Sequence, residues 1–96
     1  MAAGAAYVVT PTSVNNNAFL AFQPAGTTEI VLHNIYVPQG ELVEIYWSDG
    51  TNDILIDQGS ESYNDFHFHC TNLVYVRVKN VSGGSIRLGG DGMYTA

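Results

Sequence analysis

The stretch Leu73-Val74-Tyr75-Val76-Arg77-Val78-Lys79-Asn80, running into Val81-Ser82-Gly83-Gly84-Ser85 and then Ile86, alternates with a period of two before it turns. Successive side chains of a strand point to opposite faces, so Val74, Val76 and Val78 share one face and Leu73, Tyr75, Arg77 and Lys79 the other. The same alternation recurs in Glu41 to Ser48, where Val43, Ile45 and Trp47 oppose Leu42, Glu44 and Tyr46. These Val, Ile and Trp faces are the expected core. Between such runs stand Pro38-Gln39-Gly40 and Ser48-Asp49-Gly50-Thr51-Asn52, with Pro to fix φ, Gly to supply a positive φ, and the Asp-Gly pair favoured in tight hairpins. Working outward, strands are predicted over 7–10, 18–22, 29–37, 41–48, 53–57, 63–70, 73–80 and 85–94, with 18–22 at a sheet edge. No window shows a sustained helical period. The chain therefore reads as all-β: a single small antiparallel β-sandwich, jelly-roll or immunoglobulin-like, with a small β-barrel as the alternative.

A chain of 96 residues is one domain, and its 46% hydrophobic content supports a modest core. The lone Cys70 excludes an internal disulfide framework, and no Cys/His spacing suits a structural zinc site. Three cations against nine acids give a net charge of −6 and no basic stripe, which argues against nucleic-acid binding. Residues 1–6, Met1-Ala2-Ala3-Gly4-Ala5-Ala6, lack the basic region and apolar run of a signal peptide, and no apolar stretch is long enough to span a membrane. They read as a flexible N-terminal arm ahead of a domain over 7–96, in a protein made in the cytoplasm and kept off membranes.

Candidate chemistry is sparse. In Asp65-Phe66-His67-Phe68-His69-Cys70, period two puts His67 and His69 on one face, about 6.5 to 7 Å apart along a strand, and Cys70 among the phenylalanines as a small buried residue. His67 and His69 are the candidate metal ligands; a solvent-facing, hydrogen-bonded pair is the competing reading. Asp49, Asn52, Asp53 and Asp57 offer oxygen ligands but miss the spacing of a calcium loop and fit turn chemistry better. Gly89-Gly90-Asp91-Gly92 lacks the residues of a phosphate cradle and reads as a bulge or bend. No catalytic arrangement stands out, so a non-enzymatic protein with no cofactor is expected. Tyr46 and Tyr75, with Leu42 and Leu73, make the second faces of their strands apolar enough to be covered by a partner. Tyr36, Tyr46, Trp47, Tyr63 and Tyr75 could alternatively form a platform for sugar.

The runs Ile45-Tyr46-Trp47-Ser48-Asp49-Gly50-Thr51-Asn52-Asp53-Ile54-Leu55-Ile56 and Leu73 to Ile86 resemble those of small β-rich virion proteins of tailed bacteriophages, among them capsid decoration (cement) proteins. The resemblance implies a structural protein located in the virion, a homotrimer that stabilises the shell by bridging subunits of the major capsid protein or another virion protein. It also implies an arm or edge strand that engages the partner, here Ala2, Ala3, Gly4, Ala5 and Ala6, together with the Tyr46 and Tyr75 face. Two other expectations are a carbohydrate-binding module and a metal-centred trimeric tail fibre or spike, which the His67 and His69 pair resembles.

Overall fold

The structure, a computed structural model, describes residues 3–65 and 67–96. Eight strands carry the fold, with no helix among the described residues: β1 (Ala6–Val14), β2 (Phe19–Phe22), β3 (Glu29–Tyr36), β4 (Val43–Ser48), β5 (Asp53–Gly59), β6 (Phe68–Thr71), β7 (Tyr75–Asn80) and β8 (Ile86–Tyr94). Every predicted strand has its counterpart. Two differ in extent for local reasons. β1 continues through Pro11 by way of an irregularity between Val9 and Thr12, a placement open to proline because β1 is an edge strand. β6 starts only at Phe68, because Tyr63 makes an isolated bridge to Ile35 and Asp65 then adopts a left-handed φ of 58°, which takes the chain out of strand geometry.

The strands form two four-stranded sheets of order β1-β8-β3-β6 and β2-β7-β4-β5, all pairings antiparallel. Four of the pairs, β1 with β8, β2 with β7, β3 with β6 and β4 with β5, are the rungs of one long folded hairpin rolled up on itself. That order is the jelly roll. It decides among the three predicted architectures, since a barrel would close into one sheet and consecutive strands here, apart from the β4–β5 hairpin, alternate between two. β2 sits at an edge, as expected from its bracketing turns.

The core is filled from both sheets: Ile30, Leu32, Ile35, Cys70 and Leu88 from one, and Phe22, Val43, Ile45, Val76 and Val78 from the other, each at most 2% exposed. Trp47 departs from the expected core and is 42% exposed. Its parity matches Val43 and Ile45, but it lies next to the last residue of β4, beside Asp49, Asn52, Ile54 and Val74 and away from the core residues. The glycines of β8 let the sheets close. A Cβ on Gly90 would stand 2.5 Å from the Asn34 carbonyl oxygen and 2.6 Å from Cε1 of Phe22, both at buried or half-buried positions. Gly90→Ala is therefore expected to destabilise by about 1–3 kcal/mol through overpacking, measurable as a lower urea midpoint at unchanged m-value.

Candidate functional site

β5 is the least supported element of the fold. It pairs only with β4, and all its residues from Asp53 to Gln58 are exposed. Ile54 (56% exposed) and Ile56 (38%) lie on the side facing the other sheet, which covers them only in part, and Leu55 (50%) lies on the outer side opposite Tyr46. Three adjacent apolar residues thus stand in water on both faces of an edge strand, beside the exposed Trp47 that pairs with Ile54. Under the overhang runs a cleft lined by Ile45, Ile56, Asp57, Tyr63, Asn64 and Phe68. A flat apolar edge of this kind is normally protected by charge, by bulges or by a partner. The strand carries a bulge at Ile56 and flanking carboxylates at Asp53 and Asp57, and neither covers the apolar run.

The outer face of the same sheet is built around Arg77. Its guanidinium donates two hydrogen bonds to Asp53, Nε to Oδ1 at 3.0 Å and Nη2 to Oδ2 at 2.7 Å, and lies 3.8 Å from the Phe19 ring centroid. The Phe19 ring packs edge-on against Tyr46, whose hydroxyl donates to Glu44 at 2.6 Å. The bond to Arg77 holds the Asp53 carboxyl below its usual range, helped by Ser48, and the Asp49 carboxyl is lowered by accepting the N–H groups of Asn52 and Thr51. A carboxyl lowered in the folded state stabilises the fold above its unfolded pKa of about 4 and loses that contribution as pH falls toward the folded value. The melting temperature should therefore drop below about pH 4, and less steeply for Asp53→Asn, in a thermal series by circular dichroism.

The predicted site residues are dispersed. Ala2 lies outside the described residues, and Ala3 is exposed. Gly4 donates its N–H to the Tyr94 carbonyl at 2.8 Å, Ala5 accepts from the Tyr94 N–H at 2.9 Å, and Ala6 pairs with Met93 in β1, so backbone pairing with β8 extends N-terminal to Tyr7. Tyr46 is half-buried in the Arg77 cluster. Tyr75 corrects the expectation of an exposed partner contact: it is 7% exposed, paired with Ser48, and covered by the β4–β5 turn, where a Cβ on Gly50 would stand 3.3 Å from its hydroxyl. The five aromatic rings share no platform, because Tyr36 faces outward from the first sheet, Tyr46 from the second, and Tyr75 is buried under the β4–β5 turn.

His67 and His69 also part company. His69 Nε2 lies 2.8 Å from Glu29 Oε1, while the His67 ring sits against His33 with centroids 5.0 Å apart. Cys70 is fully buried, and burial pushes its thiol up, offset by a hydrogen bond from the Val76 backbone. Asp49 does turn chemistry, its Oδ1 accepting the N–H groups of Thr51 and Asn52 at 2.9 and 2.7 Å. Among the described residues no three His, Cys, Asp or Glu converge as metal ligands. Sequence reasoning passed over Ile54, Leu55 and Ile56. Their signal was an unbroken apolar run between two acids, where a half-buried strand would alternate.

No protein-family model matches the chain, and no curated protein does. Among solved structures the chain is similar to the Drosophila NLP core, whose crystal structure concerns pentamer formation and histone binding, with a TM-score of 0.50 and 17% identity over 95% of this chain and 98% of that one. At that identity the likeness carries the fold. It also corrects the expected role as a phage capsid cement protein: nearly the whole chain aligns with a histone-binding core, so the strand-and-turn style of 45–56 and 73–86 belongs to a sandwich fold and does not mark a virion.

Proposed function

We propose that the protein is a non-catalytic subunit of a closed homo-oligomer, assembled head to tail through the edge strands of the β2-β7-β4-β5 sheet. The observation that carries this reading is β5, exposed on both faces with Ile54, Leu55 and Ile56 unburied. The occupant that fits is a second copy of the chain, meeting β5 with its own β2. Within one sheet the two edges run in opposite directions, so β5 of one copy beside β2 of the next makes an antiparallel ladder. Charge favours the same arrangement. Symmetric β5–β5 pairing about Leu55 would set Asp53 opposite Asp57 of the other copy at both ends, which like charges disfavour. β2, Phe19-Leu20-Ala21-Phe22, carries no acid, and Arg77 and Lys79 lie next to it. Repeated head-to-tail contacts close into a ring when the rotation between neighbours divides a full turn.

Pentamer formation in the similar Drosophila core is in line with a closed homo-oligomer, and the homotrimer implied by the virion-protein resemblance is one other subunit number. Native mass spectrometry over a concentration series reads the subunit number directly: a single closed oligomer supports the proposal, and a monomer at the highest concentrations overturns it. A ring of such subunits multiplies a charge of −6. Its outer surface suits a basic polypeptide, in line with histone binding by the Drosophila protein. Titration with core histones should show binding that weakens steeply with salt, and salt-independent or absent binding would remove that second reading.

A further inference from the structure

His33 and His67 face each other at the end of the β3–β6 ladder. That ladder pairs Val31 with His69 and Leu32 with Phe68, so the next rung sets His33 opposite His67 on the outer face of the sheet. Two local features accompany the pair. β3 pairs with β8 as Leu32 with Gly92 and then Asn34 with Asp91, which leaves His33 as the extra residue of a β-bulge with no partner on β8. Alternation after the inward Leu32 already puts His33 on the outer face, and the bulge resets the parity so that Ile35 faces the core. His67 follows the left-handed Asp65, whose N–H donates to Asn34 Oδ1 at 3.2 Å, so the chain entering β6 is pinned beside the same bulge.

We propose that His33 and His67 form a two-imidazole site for a divalent late transition metal of the Zn²⁺, Ni²⁺ or Cu²⁺ class. Imidazole nitrogens suit these ions. A metal about 2.0–2.1 Å from each ligating nitrogen, with a nitrogen–metal–nitrogen angle between square and tetrahedral values, places the two ring centroids about 4.5–5.2 Å apart. The observed 5.0 Å, with ring planes at 63°, falls inside that range before any backbone movement. His69 is not the third ligand, because its Nε2 is held by Glu29. The remaining coordination positions are therefore left to water, and the ion clamps β6 to β3 just where their ladder ends. The Asp91 carboxylate, held by Asn34 and Tyr36 on the same face, adds negative potential without being a ligand. The site lies on the sheet opposite to the β2 and β5 edges and stands independently of ring assembly.

The test is calorimetric titration of the full chain with zinc and nickel chloride, beside His33→Ala, His67→Ala and His69→Ala. One metal per chain is expected, lost in the first two variants and kept in the third. Silence of the unaltered protein at millimolar metal, binding that survives His33→Ala, or binding lost in His69→Ala would each overturn the proposal. So would half a metal per chain accompanied by metal-dependent pairing, since that places the ion between copies. A second readout needs no variant: in spectra of the imidazole nitrogens, metal should shift or broaden the His33 and His67 signals and spare those of His69. The reverse pattern overturns the site.

Discussion

Asn80→Ala is expected to cost about 3 kcal/mol and lower the melting temperature by about 15 °C. Asn80 is fully buried at the end of β7 and uses its whole side chain. Its Nδ2 donates to the Val14 carbonyl at 2.8 Å and the Gly84 carbonyl at 2.7 Å, and its Oδ1 accepts from the Ser82 N–H at 2.9 Å and the Ser82 hydroxyl at 2.7 Å. One side chain thus ties the end of β1 to the turn between β7 and β8. Truncation leaves the Val14 carbonyl, on a residue 4% exposed, without its donor, and opens space beneath it. An unmade buried hydrogen bond costs about 1–3 kcal/mol, and the cavity adds to it. The Gly84 carbonyl is exposed and can return to water, which keeps the sum near the stated value.

The isosteric Asn80→Asp separates the two causes. It leaves no cavity, but replaces a donor of two hydrogen bonds with a carboxylate facing two carbonyl oxygens. It should destabilise at least as much as alanine at neutral pH. Burial raises the pKa of such a carboxyl in the folded state above its unfolded value, so the protonated form, able to donate one bond, is favoured as pH falls. Part of the lost stability should therefore return on acidification toward pH 5, visible in urea titrations at the two pH values. An aspartate variant as stable as the natural chain at neutral pH would mean that the two hydrogen bonds donated by Nδ2 contribute nothing net.

The strands were legible because their determinants are local: alternation in 43–48 and 75–80, and Pro, Gly, Asp and Asn in the turns. What periodicity cannot supply is how far the opposing layer extends. Parity assigned Trp47 correctly to the side of Val43 and Ile45, yet at the end of β4 its neighbours are the β4–β5 turn and the exposed Ile54, so that part of the face stays in water. Tyr75 is the converse case. Its parity is outward, and a turn four residues long folds back over it and Ser48. The His33–His67 pair was hidden for a third reason. It depends on the register between strands 34 positions apart, which neither strand announces alone.

Replacing Ile54 and Ile56 together by Asp is expected to turn the oligomer into monomers while leaving the subunit folded. Ile54 and Ile56 are 56% and 38% exposed, so an interface that buries what remains gains about 1.5–3 kcal/mol from the pair; losing both weakens each contact by about ten- to a hundredfold, and two buried carboxylates weaken it further. The folded subunit depends less on these side chains, since β5 is an edge strand and Ile54 and Ile56 are already 56% and 38% exposed; the loss of its stability should stay within about 3 kcal/mol. Sedimentation velocity reads the first effect, and thermal unfolding by circular dichroism the second. If strand propensity were lost with the aspartates, the pair Ile54→Thr and Ile56→Thr keeps it and still removes apolar contact. An oligomer unchanged by either pair would place assembly elsewhere, for which the exposed Val8 and Met93 on the opposite sheet are the next surface. Asp57→Lys then distinguishes the two geometries of edge pairing. Head-to-tail contacts never oppose residue 57 to residue 53 of another copy, whereas symmetric β5–β5 pairing does, so the substitution replaces repulsion by attraction only in the symmetric case. A ring that gives way to dimers in this variant shows that the carboxylates of β5 were what kept the edge from pairing with itself.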